Sequence, residues 1–230
     1  MKSIGKYIFR MFYPARCLCC GRLMEEMDIC RGCRALMKRV PPHNCTTCAQ
    51  PDGCCECHIR PSRLDGFAAP FYNEGRARTT LYKMKFGGVG GAHRFLAKEM
   101  VAALMEKFPH LQIDVVCCVP DAHGSRRHRG YYMAYCLAEA VAKEMNCPFE
   151  PNLLKQIKPS LPQHRLSAKE RADNVKGIYS ADPSAKGRNL LVVDDIRTTG
   201  ATLNECGKTL RKAGANTVWG LAALVGRNLQ

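Results

Sequence analysis

The stretch LLVVDDIRTTGAT, from Leu190 to Thr202, decides the fold of this chain. It opens with an apolar run of leucine and valine, which is typical of a strand buried on both faces of a sheet. Two carboxylates, Asp194 and Asp195, follow at the carboxyl end of the predicted strand. A short turn rich in threonine leads through Gly200 into a helical pattern from Ala201 to Ala213. A strand, an acidic pair, a small-residue turn and a helix together predict a ligand pocket.

The chemistry of that pocket follows from its parts. Backbone N–H groups of the turn and of the helix N-terminus favour an anion at one point. The two carboxylates beside that point can accept hydrogen bonds from sugar hydroxyls or approach a metal-bound ligand. A phosphate on one side and a diol on the other describe a ribose 5-phosphate, although solvated acids at the end of a strand are the simpler alternative. A Gly-Lys-Thr does follow the strand, from Gly207 to Thr209, but Thr202 stands where the Walker-type pattern Gly-x4-Gly-Lys-Ser/Thr has its first glycine, so a Walker-type phosphate loop is not indicated.

This stretch resembles the phosphoribosyl-pyrophosphate (PRPP) binding motif of the type I phosphoribosyltransferases. The resemblance implies that Asp194 and Asp195 are the catalytic acidic pair and hold the ribose hydroxyls of PRPP, which binds with Mg²⁺. It also implies that the 5′-phosphate is held by backbone N–H groups and hydroxyls of the turn, a set made up of Arg197, Thr198, Thr199, Gly200, Ala201 and Thr202.

Cysteine is concentrated near the N-terminus, where ten of the 15 cysteines lie between Cys17 and Cys57. They form four C-x2-C pairs, and two such pairs supply the four thiolates of a tetrahedral structural zinc. Pairing neighbours predicts two zinc sites, one at Cys17, Cys20, Cys30 and Cys33 and another at Cys45, Cys48, Cys54 and Cys57. An interleaved pairing, His43 or His58 as substitute ligands, and a disulfide scaffold are alternatives. The last needs an oxidising compartment, and no secretory signal is evident.

The remaining chain alternates predicted strands and helices, which indicates a doubly wound α/β fold with a parallel sheet. We predict a Cys-rich module over residues 1–60 and the α/β domain over residues 61–230. Ligands of such sheets bind at the carboxyl ends of the strands, where Asp121 and Asp194 fall. A basic run from Arg126 to Arg129 is placed to meet a pyrophosphate, or is a solvated loop. No apolar run approaches the length of a membrane span.

The whole chain resembles the ComF family of phosphoribosyltransferase-like proteins. The matching segments are residues 82–87, residues 114–120, Arg127 to Tyr131, the loop that holds Gln163, Leu166, Arg171, Asn174 and Gly177, and the PRPP motif. The resemblance implies a type I phosphoribosyltransferase fold with a double zinc ribbon. It also implies a cytoplasmic role in the uptake of transforming DNA, with single-stranded DNA and competence helicase-type proteins as partners. In a transferase of this kind, Lys85, Arg127 and Arg129 would neutralise the departing pyrophosphate.

The charge balance suggests a second class of function. The formal net charge is +15, and nucleic acid is the commonest partner of so basic a protein. The two hypotheses are therefore a phosphoribosyltransferase with an unknown acceptor and a non-catalytic, PRPP-responsive DNA-binding accessory protein. For the second, we predict a DNA contact surface on the Cys-rich module and on the joint between the two parts, near Pro61 to Gly66. It is formed by Arg31, Arg34, Lys38, Arg39, Arg60 and Arg63.

Overall fold

The computed structural model describes residues 14–25, 28–55, 57, 59, 61–87, 92–120, 132–159 and 173–227. The Cys-rich segment, residues 14–59, contains the short helix α1 (Arg31–Ala35) and a 3-10 turn at Asp52–Cys54. The strands of the α/β part are β1 (Gly66–Ala68), β2 (Phe71–Tyr72), β3 (Val115–Cys118), β4 (Leu154–Gln156), β5 (Tyr179–Ala181), β6 (Asn189–Arg197) and β7 (Thr217–Val225). Its helices are α2 (Gly75–Gly87), α3 (Ala92–Lys107), α4 (Met133–Glu144) and α5 (Ala201–Lys212).

A parallel sheet forms the centre of the α/β part, with strand order β1-β7-β6-β3 and β2 pairing further along β7. Alternate residues of the central strands point to opposite faces, as strand geometry requires. Leu191 and Val193 join the apolar layer under α2, α3 and α4. Leu190 and Val192 join the layer under α5 and the antiparallel β4–β5 hairpin. Burial on both faces explains the apolar run of β6, and the predicted parallel α/β fold is confirmed.

The Cys-rich segment packs directly on this sheet. Leu18, Ile29 and Met37 are buried in the same apolar layer as α2 and α3. Main-chain hydrogen bonds join the two parts, including Phe67 N to Thr46 O at 2.7 Å and Tyr72 N to Lys38 O at 3.0 Å. The cysteine residues are therefore held against the sheet. No helix in the described part of the chain combines the length and apolar character needed to cross a membrane.

Candidate sugar-phosphate site and cysteine groups

The acidic pair lies within β6, since the strand continues past Val193 to Arg197. β7 runs to Val225 and pairs with β6 as far as Arg197, so it keeps the backbone of Asp194 and Asp195 in the sheet. The pattern of apolar residues predicts a strand ending at Val193, because it registers burial and not main-chain pairing. Each carboxylate accepts a hydrogen bond at 2.8 Å from the next backbone N–H, which orients both groups.

The two carboxylates have different surroundings. Burial raises the pKa of Asp194 well above its ordinary value, and the neighbouring charge of Asp195 adds to this effect. Asp195 instead forms an ion pair with Lys85, whose Nζ lies 2.8 Å from Asp195 Oδ2. The pair joins the end of β6 to α2, 110 residues apart in the sequence. A half-buried acid beside an ion-paired acid is a site that favours a cationic or hydroxyl-bearing ligand.

The turn after β6 is shaped to receive an anion. Thr198 and Thr199 are exposed, while Gly200 is buried and has a φ of +80°, which glycine adopts without strain. Gly200 is the N-cap of α5, so no side chain covers the first turn of a 12-residue helix. The Thr199 hydroxyl accepts a hydrogen bond from Ala201 N at 3.4 Å. Together with the positive end of the helix dipole, these groups suit a phosphate.

Arg197 does not direct its side chain into this turn. Its guanidinium Nη1 donates to Cys48 O at 3.0 Å, and its Cζ lies 5.0 Å from the centroid of the Phe67 ring. Burial lowers the pKa of Arg197, and the thiols of the nearby cysteines oppose this change. The contribution of Arg197 to a phosphate site would therefore come from its main chain. The sequence contains no signal for the partnership between Arg197 and Cys48, which are 149 residues apart.

The predicted pyrophosphate side lies partly outside the described residues. Asp121, Arg127 and Arg129 fall there, as do Gln163, Leu166 and Arg171 of the loop implied by the ComF resemblance. Gly177, at the end of that loop, is held by its backbone N–H, which donates to Glu205 Oε1 of α5 at 2.8 Å. The structure thus places Lys85, Asp194 and Asp195 at one edge of the sheet.

The first cysteine group, Cys17, Cys20, Cys30 and Cys33, brings four sulfur atoms within 4.8 Å of one another. Cys20 Sγ and Cys30 Sγ are 3.8 Å apart, and a tetrahedral zinc with bonds of about 2.3 Å separates its sulfur ligands by about 3.8 Å. Burial raises the pKa of Cys17, but the backbone N–H groups of Cys20, Cys30 and Cys19 outweigh burial and bring it down to about 6. Burial raises the pKa of Cys33 in the same group, so the fit to a structural zinc rests on the sulfur geometry and on the lowered pKa of Cys17.

The second cysteine group corrects one predicted ligand. The four clustered sulfur atoms belong to Cys45, Cys48, Cys55 and Cys57, so Cys55 stands where Cys54 was predicted. Cys54 ends the 3-10 turn, and the backbone becomes extended at Cys55. A C-x-C pair, Cys55 and Cys57, therefore replaces the predicted C-x2-C pair. The adjacent cysteines at 54 and 55 were the signal in the sequence that two choices existed.

Sulfur separations in the second group also fit zinc. Cys45 Sγ lies 3.8 Å from Cys57 Sγ, and Cys48 Sγ lies 3.6 Å from Cys55 Sγ. The Thr47 hydroxyl donates to Cys57 Sγ at 3.0 Å, which would support a thiolate ligand. Burial raises the pKa of Cys48, whereas hydrogen bonds from Thr47 overcome burial and lower the pKa of Cys45 to about 6. Two groups of four cysteines, the number predicted, are therefore present and compatible with zinc.

Three residues of the predicted DNA surface take part in ion pairs within the protein. Arg34 pairs with Asp28 at 2.5 Å, Lys38 with Glu74 at 3.4 Å and Arg39 with Glu99 at 2.5 Å. Each side chain is still at least 43% exposed, so the pairs do not hide the charges. Reversing these three charges would nevertheless disturb the packing of the Cys-rich segment. Arg60 lies outside the described residues.

Comparison with known proteins identifies the class of domain that the α/β part forms. Residues 131–229 match the phosphoribosyl transferase domain, which covers β6, the acidic pair, the turn and α5. The solved structure of adenine phosphoribosyltransferase from Saccharomyces cerevisiae is similar to this one. The match covers 61% of this chain and 72% of that chain, at 18% identity and a TM-score of 0.41. The domain match and the sheet topology together define a protein of the type I phosphoribosyltransferase fold.

Relatives over most of the chain then narrow this class. Competence protein F of Haemophilus influenzae is 29% identical over 226 residues, which are 92% of this chain and 98% of that protein. Competence protein ComFC of Bacillus subtilis is 25% identical, over 84% of this chain and 81% of that one. DNA utilization protein YhgH of Salmonella typhi is 26% identical, over 89% of this chain and 94% of that one. The resemblance to the ComF family is confirmed: the chain is a homologue of competence protein F and ComFC.

Proposed function

We propose that this protein binds PRPP with Mg²⁺ at the carboxyl end of β6 and transfers its phosphoribosyl group to an acceptor. The observation that carries the proposal is the arrangement of three features at one sheet edge. A half-buried acid and an ion-paired acid precede an open turn, and the turn leads into the N-terminus of α5. Such a site pairs hydroxyl acceptors with an anion-binding turn, which matches the two ends of a ribose 5-phosphate.

In the proposed reaction the protein acts mainly through position and charge. Asp194 and Asp195 hold the 2′ and 3′ hydroxyls, and the turn from Arg197 to Ala201 holds the 5′-phosphate through backbone N–H groups. Pyrophosphate leaves C1 of the ribose, and positive charge develops on the sugar ring as in glycoside cleavage. Lys85, held at 2.8 Å from Asp195, lies at the same edge and supplies positive charge to the departing group.

Magnesium fits the donor set of this site. Mg²⁺ in proteins takes carboxylate oxygens together with substrate phosphates, and the paired carboxylates supply the former. When bound with PRPP, it would neutralise charge on the pyrophosphate. The raised pKa of Asp194 also fits, because a buried carboxylate without enough compensating charge is stabilised by a cation.

Calorimetry with PRPP and Mg²⁺ tests the binding step. Replacing both Asp194 and Asp195 with Asn keeps the side-chain volume and removes the charge. We expect PRPP affinity to fall by about tenfold or more, equivalent to the loss of roughly one charge-assisted contact. A folded double variant with unchanged affinity would show that the acidic pair is structural. Pyrophosphate release in the presence of candidate acceptors then tests transfer.

A second candidate function is a PRPP-responsive accessory role in DNA handling. The observations that favour it are the net charge of +15 and the names of the relatives, which are competence and DNA utilization proteins. We propose that this chain serves DNA uptake in either case. Binding of single-stranded DNA that persists in the Asp194 and Asp195 double variant, without any pyrophosphate release from the wild type, would favour the accessory role.

A further inference from the structure

The second cysteine group and the predicted phosphate turn meet at one side chain. Arg197 is the last residue of β6 and directly precedes Thr198, the first residue of the turn. Its main chain pairs with Val225, and its carbonyl oxygen accepts a hydrogen bond from Gly226 N at 2.8 Å. The backbone of Arg197 is thus held by β7, while its side chain leaves the sheet toward the Cys-rich segment.

The guanidinium of Arg197 fills the space between the turn and the cysteine group. Nη1 donates to the carbonyl oxygen of Cys48, and the planar group lies over the Phe67 ring. On its other side it lies against Gly200, where an added Cβ would be 2.6 Å from Nη2. The positive φ favours glycine at this position, and a side chain here would displace the guanidinium. The position of the guanidinium and the shape of the turn depend on each other.

A second contact, made by Gln50, also joins the second cysteine group to the start of the turn. Gln50 is 1% exposed, and its Nε2 donates to Gly226 O at 2.7 Å. Gly226 packs against Thr198, since a Cβ added to Gly226 would lie 3.6 Å from Thr198 Cα. Gln50 is itself bound to the cysteine group, because Cys45 N donates to Gln50 O at 3.0 Å. Residues 45–50 therefore hold the start of the turn from two directions.

The contact between Arg197 and the second cysteine group would depend on bound metal, because the metal changes the charge of that group. A zinc ion with four thiolate ligands carries a formal charge of about −2, which stabilises a guanidinium beside it. A buried guanidinium without that charge is costly, because it has left water without full compensation. Metal would also fix the four cysteines that position Cys48 O and Gln50. Loss of the metal removes both the charge and the geometry that hold Arg197.

We propose that Arg197 is a positioning residue that makes the order of the turn at residues 197–201 depend on metal bound by Cys45, Cys48, Cys55 and Cys57. The consequence for PRPP affinity rests on the proposed function, whereas the coupling between metal and turn does not. We assign no such role to the first cysteine group, because Cys19, which lies between Cys17 and Cys20 of that group, is bound to α2 and not to the turn. Lys83 of α2 donates to Cys19 O at 2.6 Å, and Cys19 Sγ donates to Arg76 O.

Hydrogen exchange of the full-length protein, with zinc content measured on the same samples, tests this coupling. Cys57→Ser should remove one zinc per chain and accelerate amide exchange in residues 197–201 by about tenfold or more. The matched control, Cys20→Ser, should also remove one zinc but leave exchange of the turn unchanged. Arg197→Met should retain both zinc ions and show the faster exchange of the turn. Thermal unfolding identifies any variant that is globally unfolded, and Arg197→Lys then replaces Arg197→Met.

The outcomes separate this inference from the proposed function. Unchanged exchange of the turn in Cys57→Ser, or equal acceleration in both cysteine variants, overturns the coupling. Unchanged exchange in a folded Arg197 variant shows that the guanidinium does not carry it. PRPP titration separates the two proposals. If the wild type does not bind PRPP but amide exchange of the turn responds to zinc loss, only the proposed function is contradicted. A wild type that binds PRPP, together with unchanged exchange of the turn in Cys57→Ser, contradicts only the coupling.

Discussion

Asp194 and Arg197, three positions apart on β6, are both partly buried, but their surroundings differ. Asp194 belongs to the candidate sugar site, and the charge of Lys85 only partly offsets its burial. Arg197 faces the second cysteine group and is matched by a carbonyl oxygen, an aromatic ring and four thiols. We therefore propose that Asp194 meets a ligand, whereas Arg197 already has its partners inside the protein. At the scale of single residues, burial without full compensation indicates a function.

This difference predicts how stability responds to pH at Asp194. Its pKa is raised in the folded protein, so its contribution to stability is complete below the unfolded value of about 4 and is lost as pH rises toward the raised value. We expect Asp194→Asn to unfold at a higher temperature than the wild type at pH 8, with the difference shrinking as pH falls. The same substitution should weaken PRPP binding.

Thermal unfolding from about pH 3 to pH 8, a range that includes the ordinary pKa of an aspartate, checks this expectation, with Asp182→Asn as a control of opposite sign. Asp182 accepts hydrogen bonds from the backbone and hydroxyl of Ser184, which lower its pKa. Its contribution to stability is therefore present at pH 8 and is lost as pH falls below the ordinary range of an aspartate. An Asp194→Asn protein less stable than the wild type at pH 8 would contradict the assigned burial penalty.

At the scale of elements, main-chain pairing and short turns decide what side chains can do. β6 extends to Arg197 because β7 continues alongside it, and this extension orients the acidic pair. In the Cys-rich segment, the 3-10 turn ends at Cys54, and the next residue, Cys55, has the extended backbone and the sulfur that joins the second cysteine group. Both results come from backbone geometry, which a pattern of residue types describes only partly.

The choice of ligand gives a direct prediction about zinc. The purified protein should contain about two zinc ions per chain, with four thiolates for each structural site. Cys54→Ser should retain both ions, and Cys55→Ser should lose one, because only the latter removes a clustered sulfur. Metal analysis of the two variants distinguishes the structure from the sequence pattern. If Cys54→Ser loses a zinc ion and Cys55→Ser does not, the C-x2-C pairing predicted from the sequence is correct.

At the scale of the whole molecule, the Cys-rich segment and the α/β part share one apolar core and a strongly basic surface. The two cysteine groups are attached to different sides of the candidate site. Cys19, next to Cys20 of the first group, contacts α2, the helix that carries Lys85, and Cys48 of the second group contacts the end of β6. Metal in this protein would therefore support the site as well as the fold of the segment.

The basic surface predicts salt-sensitive binding of single-stranded DNA with little sequence preference. Affinity should fall with rising salt at a logarithmic slope of about −0.7 per phosphate neutralised. Arg31→Glu with Arg63→Glu should reduce the magnitude of that slope by about 1.4, the share of two phosphate contacts. These residues are chosen because no ion pair recorded among the described residues includes them. A shift assay or fluorescence titration at several salt concentrations measures the slope.

The control for this prediction is Lys98→Glu with Lys186→Glu. It makes the same change in net charge on exposed residues of the α/β part. An equal effect of both double variants would mean that net charge alone attracts DNA. The Cys-rich segment and the joint would then have to be abandoned as the contact surface.

The sequence by itself determined the features that depend on local residue pattern. The apolar run at Leu190, the acidic pair and the threonine-rich turn predicted the strand, its carboxyl-end site and the following helix. The spacing of cysteines predicted two groups of four. Each of these depends on residues close together in the chain, where periodicity and spacing carry the information. The tertiary structure decided the partners that lie far apart in the chain. In the structure, Cys55 and not Cys54 joins the second cysteine group, Lys85 forms an ion pair with Asp195, and the side chain of Arg197 is directed toward Cys48. Those choices depend on which backbone segments the folded sheet brings together, and no local pattern records that.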